Sequence, residues 1–145
     1  MSARAKTFML IDGHSLLYRA FFALPESLTR ADGSPTNAVY GLALMLRRLL
    51  ADERPAACVI AFDGPGRTFR AEVYDEYKAN RSAMPDALVS QIDAARQLAQ
   101  CLGLKVIVSA GCEADDVIGT MSRKAQSAGF HSLIVTGDRD ALQLV

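Results

Sequence analysis

"LKVIVSAGCEADDVIGTMSRKAQSAGFHSLIVTGD", Leu104 to Asp138, reads as one strand–helix–strand unit. Two continuous apolar runs, "KVIVS" (Lys105–Ser109) and "SLIVT" (Ser132–Thr136), flank a helical stretch, "EADDVIGTMSRKAQSAG", that Gly129 closes. Runs that are apolar throughout, rather than alternating, belong to strands buried on both faces. Two more occur upstream, "TFMLI" (Thr7–Ile11) and "ACVIAF" (Ala57–Phe62). Helical stretches "NAVYGLALMLRRLLADE" and "PDALVSQIDAARQLAQCLG" lie between the runs, the second opened by Pro85 and closed by Gly103 as helices prefer. Strand–helix alternation predicts an α/β domain: three layers, α/β/α, around a mainly parallel central sheet.

The bulk numbers agree and narrow the function classes. A chain of 145 residues, 50% hydrophobic, can bury a core as one domain. No apolar run approaches the length that crosses a bilayer, and Asp12 interrupts the apolar segment near the N-terminus, so neither a membrane span nor a signal peptide is expected. Three cysteines, Cys58, Cys101 and Cys112, without CxxC spacing point to a reducing, cytoplasmic setting, with Cys58 and Cys101 as small core residues. With 16 basic and 16 acidic residues the chain lacks the basic excess of a nucleic-acid binder, so any such role must rest on local segregation of charge. The closing "DALQLV" carries no cap or stop signal and reads as the interior of a longer domain.

Each apolar run is followed by acid: Asp12 after the first, Asp63 after the second, Glu113, Asp115 and Asp116 after the third, Asp138 and Asp140 after the fourth. In open parallel sheets ligands bind outside the carboxyl ends of the strands, so these side chains are expected on one rim. Any one of them alone reads as a helix N-cap or turn residue. All four strand ends being acidic at once leaves a repulsion that divalent cations relieve. The donors are all oxygen, which favours Mg2+ or Mn2+ over zinc, and their number exceeds what one magnesium uses. Two ions about 3.5–4 Å apart form a clamp suited to a phosphodiester. His14 and His131 have no ligand spacing and read as structural.

In "RTFRAEVYDEYKANRSAMP", residues 67–85, helical spacing puts Arg70, Tyr74, Tyr77, Lys78 and Arg81 on one face and Glu72, Asp75 and Glu76 on another. The apolar stripe of a core helix is missing. A solvated surface helix is one reading. Binding of single-stranded nucleic acid is the other, with cations for phosphates and rings for bases.

With these residues assembled, the sequence resembles the 5′ nuclease domains of bacterial DNA polymerase I, within the flap endonuclease and 5′–3′ exonuclease family. The resemblance rests on "LIDGHSLLYRAFFAL", "PTNAVYGLALML", "AFDGPGRTFRAEVYDEYKANR", "GCEADDVIGT" and "VTGDRDALQLV", spread over the chain in family order. It implies a resolvase-like, PIN-like fold and a divalent-metal-dependent nuclease. Asp12, Asp63, Glu113 and Asp115 would ligate the metal nearer the chemistry. Asp116 would share the cluster, and Asp138 and Asp140 would lie toward the second metal. Segment 67–85 would be the helical arch, with Arg70, Tyr74 and Tyr77 toward DNA and Lys78 and Arg81 on the scissile phosphate. The implied substrate is DNA with a 5′ flap or free 5′ end, cut in replication and repair, with a polymerase domain as a possible neighbour. Family domains continue past this sequence into further acidic ligands and a duplex-gripping element. This chain then corresponds to the N-terminal part, with a second metal site expected to be short of ligands. Rival readings are a non-catalytic DNA-structure-binding fragment, a PIN-like ribonuclease, which should lack "YKANR", and an aspartyl-phosphate enzyme. The last needs a lysine at a strand end, whereas Lys105 begins a strand.

Overall fold

Strands β1 (Thr7–Asp12), β2 (Ala57–Asp63), β3 (Lys105–Ser109) and β4 (His131–Val135) pair in parallel in the order β3-β2-β1-β4. They are seen in a computed structural model that describes residues 6–63, 85–109 and 114–137. β1 and β2 occupy the middle, which is why their sequences are apolar without alternation: Met9, Leu10 and Ile11, and Val59 to Phe62, are all buried. Leu10 stands opposite Val59 on one side and Ile134 on the other, so both neighbours of β1 are held in fixed register.

The pleat divides these residues between two cores. Met9, Ile11, Ile60 and Phe62 pack with Leu16, Leu17 and Phe21 of α1 (Gly13–Ala23), Leu42 and Leu46 of α2 (Asn37–Glu53), and Ala95 and Ala99 of α4 (Ile92–Cys101). Leu10, Val59 and Ala61 face the opposite way, onto Ala114 and Ile118 of α5 (Ala114–Ser127). The three-layer α/β/α architecture expected from the sequence is present. The two faces are unequally covered among the described residues.

Helix α2 has the limits read from the sequence and ends on Arg54 in the left-handed conformation (φ 43°). Gly103 and Gly129, at φ 82° and 86°, terminate their helices as expected. Two readings need correction. The stretch 85–103 is not one helix: α3 (Asp86–Val89) and α4 are separated at Ser90 and Gln91. Helix α1 was not anticipated, because it leaves β1 with no intervening turn and its leucines and phenylalanines extend the apolar run of the strand.

The break between α3 and α4 has a structural use. Gln91 is buried, and its Oε1 accepts from the N–H groups of Ala38 (2.9 Å) and Val39 (3.1 Å) at the start of α2, where Thr36 supplies no side-chain cap. Its Nε2 donates to Asn37 Oδ1 (2.9 Å) and Ala87 O (3.0 Å), while Asn37 Nδ2 donates to the carbonyls of Phe21 and Leu24. Gln91 thus caps α2 from the α3–α4 break, and Asn37, which it holds, ties α2 to the end of α1. Orphan N–H groups at a helix start are satisfied from a distant part of the chain.

Cys58 is half-buried against the larger core and burial pushes its thiol up to about 11. Cys101 is exposed, contrary to the expectation of a core residue, because it faces outward in the last turn of α4. Among the described residues no helix is long and apolar enough to cross a membrane.

Candidate functional site

In a sheet ordered β3-β2-β1-β4 the chain first moves outward from β1 through β2 to β3, then returns to the other side of β1 with β4. The direction of winding reverses between β1 and β4. At such a switch point the crossovers leave on opposite faces and open a crevice at the carboxyl ends of the strands. Asp12 is the last residue of β1 and Thr136 follows β4, so both line that crevice, and Asp63 ends β2 beside them.

Asp12 is almost wholly buried, at 6% exposure, although it carries a charge in neutral solution. One oxygen, Oδ1, accepts from the N–H of Ser15 (3.1 Å) and caps α1. The other, Oδ2, accepts from the hydroxyl of Thr136 (3.3 Å). Burial, with the negative charges of Asp115 and Asp63, pushes the Asp12 carboxyl up to about 6 against the two hydrogen bonds. Acids read from separate strand ends are thus brought near one another: the charges at positions 63 and 115 both act on Asp12.

Asp63 bridges the sheet to the next layer. Its Oδ1 accepts from the N–H of Ala114 (2.8 Å), the first residue of α5. That bond fixes the start of the helix whose first turn holds Asp115 and Asp116. The N–H of Asp63 donates to His14 Nδ1 (3.0 Å). Nδ1 also stands 3.9 Å from Asp63 Oδ2. His14 also sets its ring edge-on to Phe62, with centroids 5.4 Å apart.

Backbone proximity needs glycine here. A Cβ on Gly13 would stand 2.7 Å from the Phe62 ring and 3.0 Å from the carbonyl of Ala61. The turn from Asp12 into α1 can hug β2 only because that atom is missing. Across the crevice, the N–H of Gly137 donates to Ser15 Oγ (2.6 Å), which binds the end of β4 to the start of α1.

Asp12, Asp63 and Asp115 are thus placed near one another, and Asp116 follows Asp115 in the first turn of α5. Glu113, Asp138, Asp140, Arg70, Tyr74, Tyr77, Lys78 and Arg81 lie outside the described residues, as does segment 67–85 apart from Pro85. Among the described residues no three acidic, imidazole or thiol side chains stand close enough to enclose one ion. Asp12 turns both its oxygens, and Asp63 one of its own, to N–H and O–H donors. The chemistry of the set still fits a hard divalent cation. Its donors are carboxylate oxygens, and one is a buried carboxyl whose ionised form the neighbouring acids disfavour. His14, Ser15, Thr136 and Gly137 escaped the sequence reading. Only the serine three residues after Asp12 carried a legible signal, an N-cap spacing.

The family description "5'-3' exonuclease, N-terminal resolvase-like domain" matches residues 7–145. The chain belongs to the 5′–3′ exonuclease family. It is 51% identical over 144 residues to DNA polymerase I of Mycobacterium bovis, covering 98% of this chain and 16% of the polymerase. It is 42% identical over 140 residues to a 5'-3' exonuclease of Aquifex aeolicus, covering 97% of this chain and 48% of the relative. The chain spans about half the length of that exonuclease and a sixth of the polymerase. In fold it is similar to the 5'-exonuclease of bacteriophage T5 with bound divalent zinc ions, at TM-score 0.75 and 17% identity over 97% of this chain and 52% of the other. A bacteriophage T5 flap endonuclease in a pseudo-enzyme-product complex with DNA and metal ions has TM-score 0.67 and 20% identity, over 94% of this chain and 50% of that one. The three-layer parallel fold is therefore that of the 5′ nucleases.

Proposed function

We propose that this chain is the acid-bearing N-terminal part of a divalent-metal-dependent 5′–3′ exonuclease and flap endonuclease that hydrolyses DNA phosphodiesters near 5′ ends or flap junctions. The observation that carries the proposal is the electrostatic meeting of Asp12, Asp63 and Asp115 at the switch point of the sheet. Family membership and the metal ions in the related phage structures support the same reading.

In this reading Asp12, Asp63 and Asp115, with Glu113, hold the ion nearer the scissile bond, and Asp116, Asp138 and Asp140 extend the cluster toward a second. Bound Mg2+ or Mn2+ would supply an activated water and neutralise charge on the phosphodiester. The protein's own part is to keep these carboxylates in place. β1 and β2 hold Asp12 and Asp63 in register, and the Asp63–Ala114 bond sets the first turn of α5. Lys78 and Arg81 stabilise negative charge on the phosphate without transferring a proton. Arg70, Tyr74 and Tyr77 hold the single-stranded 5′ end. The setting is the bacterial cytoplasm, near the nucleoid, with a polymerase domain in the same or a partner chain.

The test is cleavage of a 5′-flap DNA by the full chain with Mg2+ or Mn2+. Metal-dependent cleavage that Asp63→Ala abolishes, with flap binding kept within a few-fold, is the expected result. Binding without cleavage would instead identify a DNA-structure-binding fragment. No binding at all would remove the nuclease reading.

A further inference from the structure

A cation packs against Phe62, the residue before Asp63 at the carboxyl end of β2. Arg96 lies in the first half of α4, the helix that carries the chain from the carboxyl end of β2 back to the start of β3, so it sits at the level of the rim. Its guanidinium lies over the ring of Phe62, 5.7 Å from the centroid. Phe62 is fully buried, immediately precedes Asp63, and is the ring against which His14 packs.

The hydrogen bonding of this guanidinium is incomplete. Among the described residues its Nε is buried and finds no acceptor. Its Nη1 reaches Asp93 Oδ1 at 3.5 Å, the outer limit of a hydrogen bond, on the exposed side of α4. A guanidinium offers five N–H donors in a fixed plane, and a buried donor without a partner is unfavourable. The rim's own acids do not answer it, since Asp12 is engaged by Ser15 and Thr136, and Asp63 by Ala114. The side chain as a whole is 33% exposed, so an anion can reach the outer N–H groups of the guanidinium from solvent.

We propose that Arg96 binds a phosphate of the DNA backbone at the edge of the acidic rim. The inference rests on the nuclease reading above and assigns one of its substrate contacts. Phosphate oxygens match the guanidinium fork, and the cation–π contact with Phe62 helps to hold the guanidinium in place before the anion arrives. Arg96 acts in binding and positioning rather than in bond cleavage.

The experiment measures binding of the full chain to a 5′-flap oligonucleotide, in EDTA and in Mg2+, from about 20 to about 200 mM KCl. Arg96→Gln is expected to weaken binding about 5- to 20-fold at low salt and to lower the salt slope by about one phosphate contact. Arg96→Lys is expected to keep the slope and lose less affinity, since it keeps the charge without the fork. Flaps ending in a 5′-phosphate or a 5′-hydroxyl distinguish the source. Equal losses assign an internal phosphodiester, whereas a loss confined to the phosphorylated flap assigns the terminal group. Unchanged affinity and slope in Arg96→Gln overturn the proposal. So does a lowered melting temperature with an unchanged slope, which would assign Arg96 to packing on Phe62. If the unaltered chain cuts the flap while Arg96→Gln binds it equally well, only this inference fails. If the unaltered chain does not bind DNA, the nuclease reading fails with it.

Discussion

Asp63 Oδ1 accepts a hydrogen bond from the N–H of Ala114 at 2.8 Å, joining residues 51 positions apart. The carboxylate at the end of β2 is thereby the anchor of the helix that brings Asp115 and Asp116 to the rim. A single side chain serves both the fold and the acid cluster, and substitutions can separate the two roles.

Asp63→Asn keeps an oxygen for the Ala114 N–H but loses the charge, whereas Asp63→Ala loses both. Thermal unfolding is expected to show Asp63→Ala less stable by about 1 kcal/mol, the usual effect of removing a helix-start acceptor, and Asp63→Asn within a few tenths of the parent. Flap cleavage is expected to fall more than about 100-fold in both, as for loss of a group that acts on the transition state. Retained cleavage in Asp63→Asn would show that the charge is not used.

The buried Asp12 makes stability depend on pH. Its folded-state carboxyl, at about 6, lies above the ordinary value of 3.8, so between those values the folded chain binds more proton than the unfolded one. The contribution of Asp12 is therefore fully present below about 3.8 and is lost as pH rises to about 6. The loss amounts to about 3 kcal/mol, at most, for a displacement of this size. Denaturant unfolding of the metal-free chain at about pH 4 and pH 7.5 measures it. Asp12→Asn, which removes the charge and keeps an acceptor for Ser15, is expected to be more stable than the parent at pH 7.5, with the advantage gone at about pH 4. A less stable variant at pH 7.5 would contradict the burial penalty.

Divalent cations should reverse that penalty. At pH 7.5, millimolar Mg2+ is expected to raise the melting temperature by a few degrees, and EDTA to reverse it, since an ion bound only to the folded form stabilises it by mass action. Below about pH 6 the proton on Asp12 competes with the ion and the gain should shrink. Equal gains at both pH values, or an unchanged gain in Asp12→Asn, would place the ion elsewhere.

Gln91 offers a test of the fold apart from the acids. Gln91→Leu roughly keeps the volume but leaves the N–H groups of Ala38 and Val39 and the side-chain Oδ1 of Asn37 without their partner. A loss of about 2–4 kcal/mol in unfolding free energy is expected, from more than one buried polar group left unsatisfied. A loss under about 0.5 kcal/mol would mean that water replaces the carboxamide without penalty.

Local pattern determined much of this protein. The central strands β1 and β2 are buried on both faces and so apolar throughout, while the edge strands β3 and β4 are more exposed yet keep apolar runs. All four runs were therefore legible without any knowledge of pairing, as were the limits of α2 and the acids that follow each strand. Helix α1 was hidden for a local reason too, since its apolar residues continue directly from β1. What the tertiary structure decided is non-local. The order β3-β2-β1-β4 puts the switch point between β1 and β4, and so chooses the crevice that Asp12 and Thr136 line. The burial that raises Asp12, the His14 ring that accepts from Asp63, and the Gln91 clip on α2 each depend on atoms dozens of residues apart meeting within a few ångströms. Side-chain chemistry can be read along a chain, but desolvation and hydrogen-bond partners belong to the packed neighbours, which sequence spacing does not name.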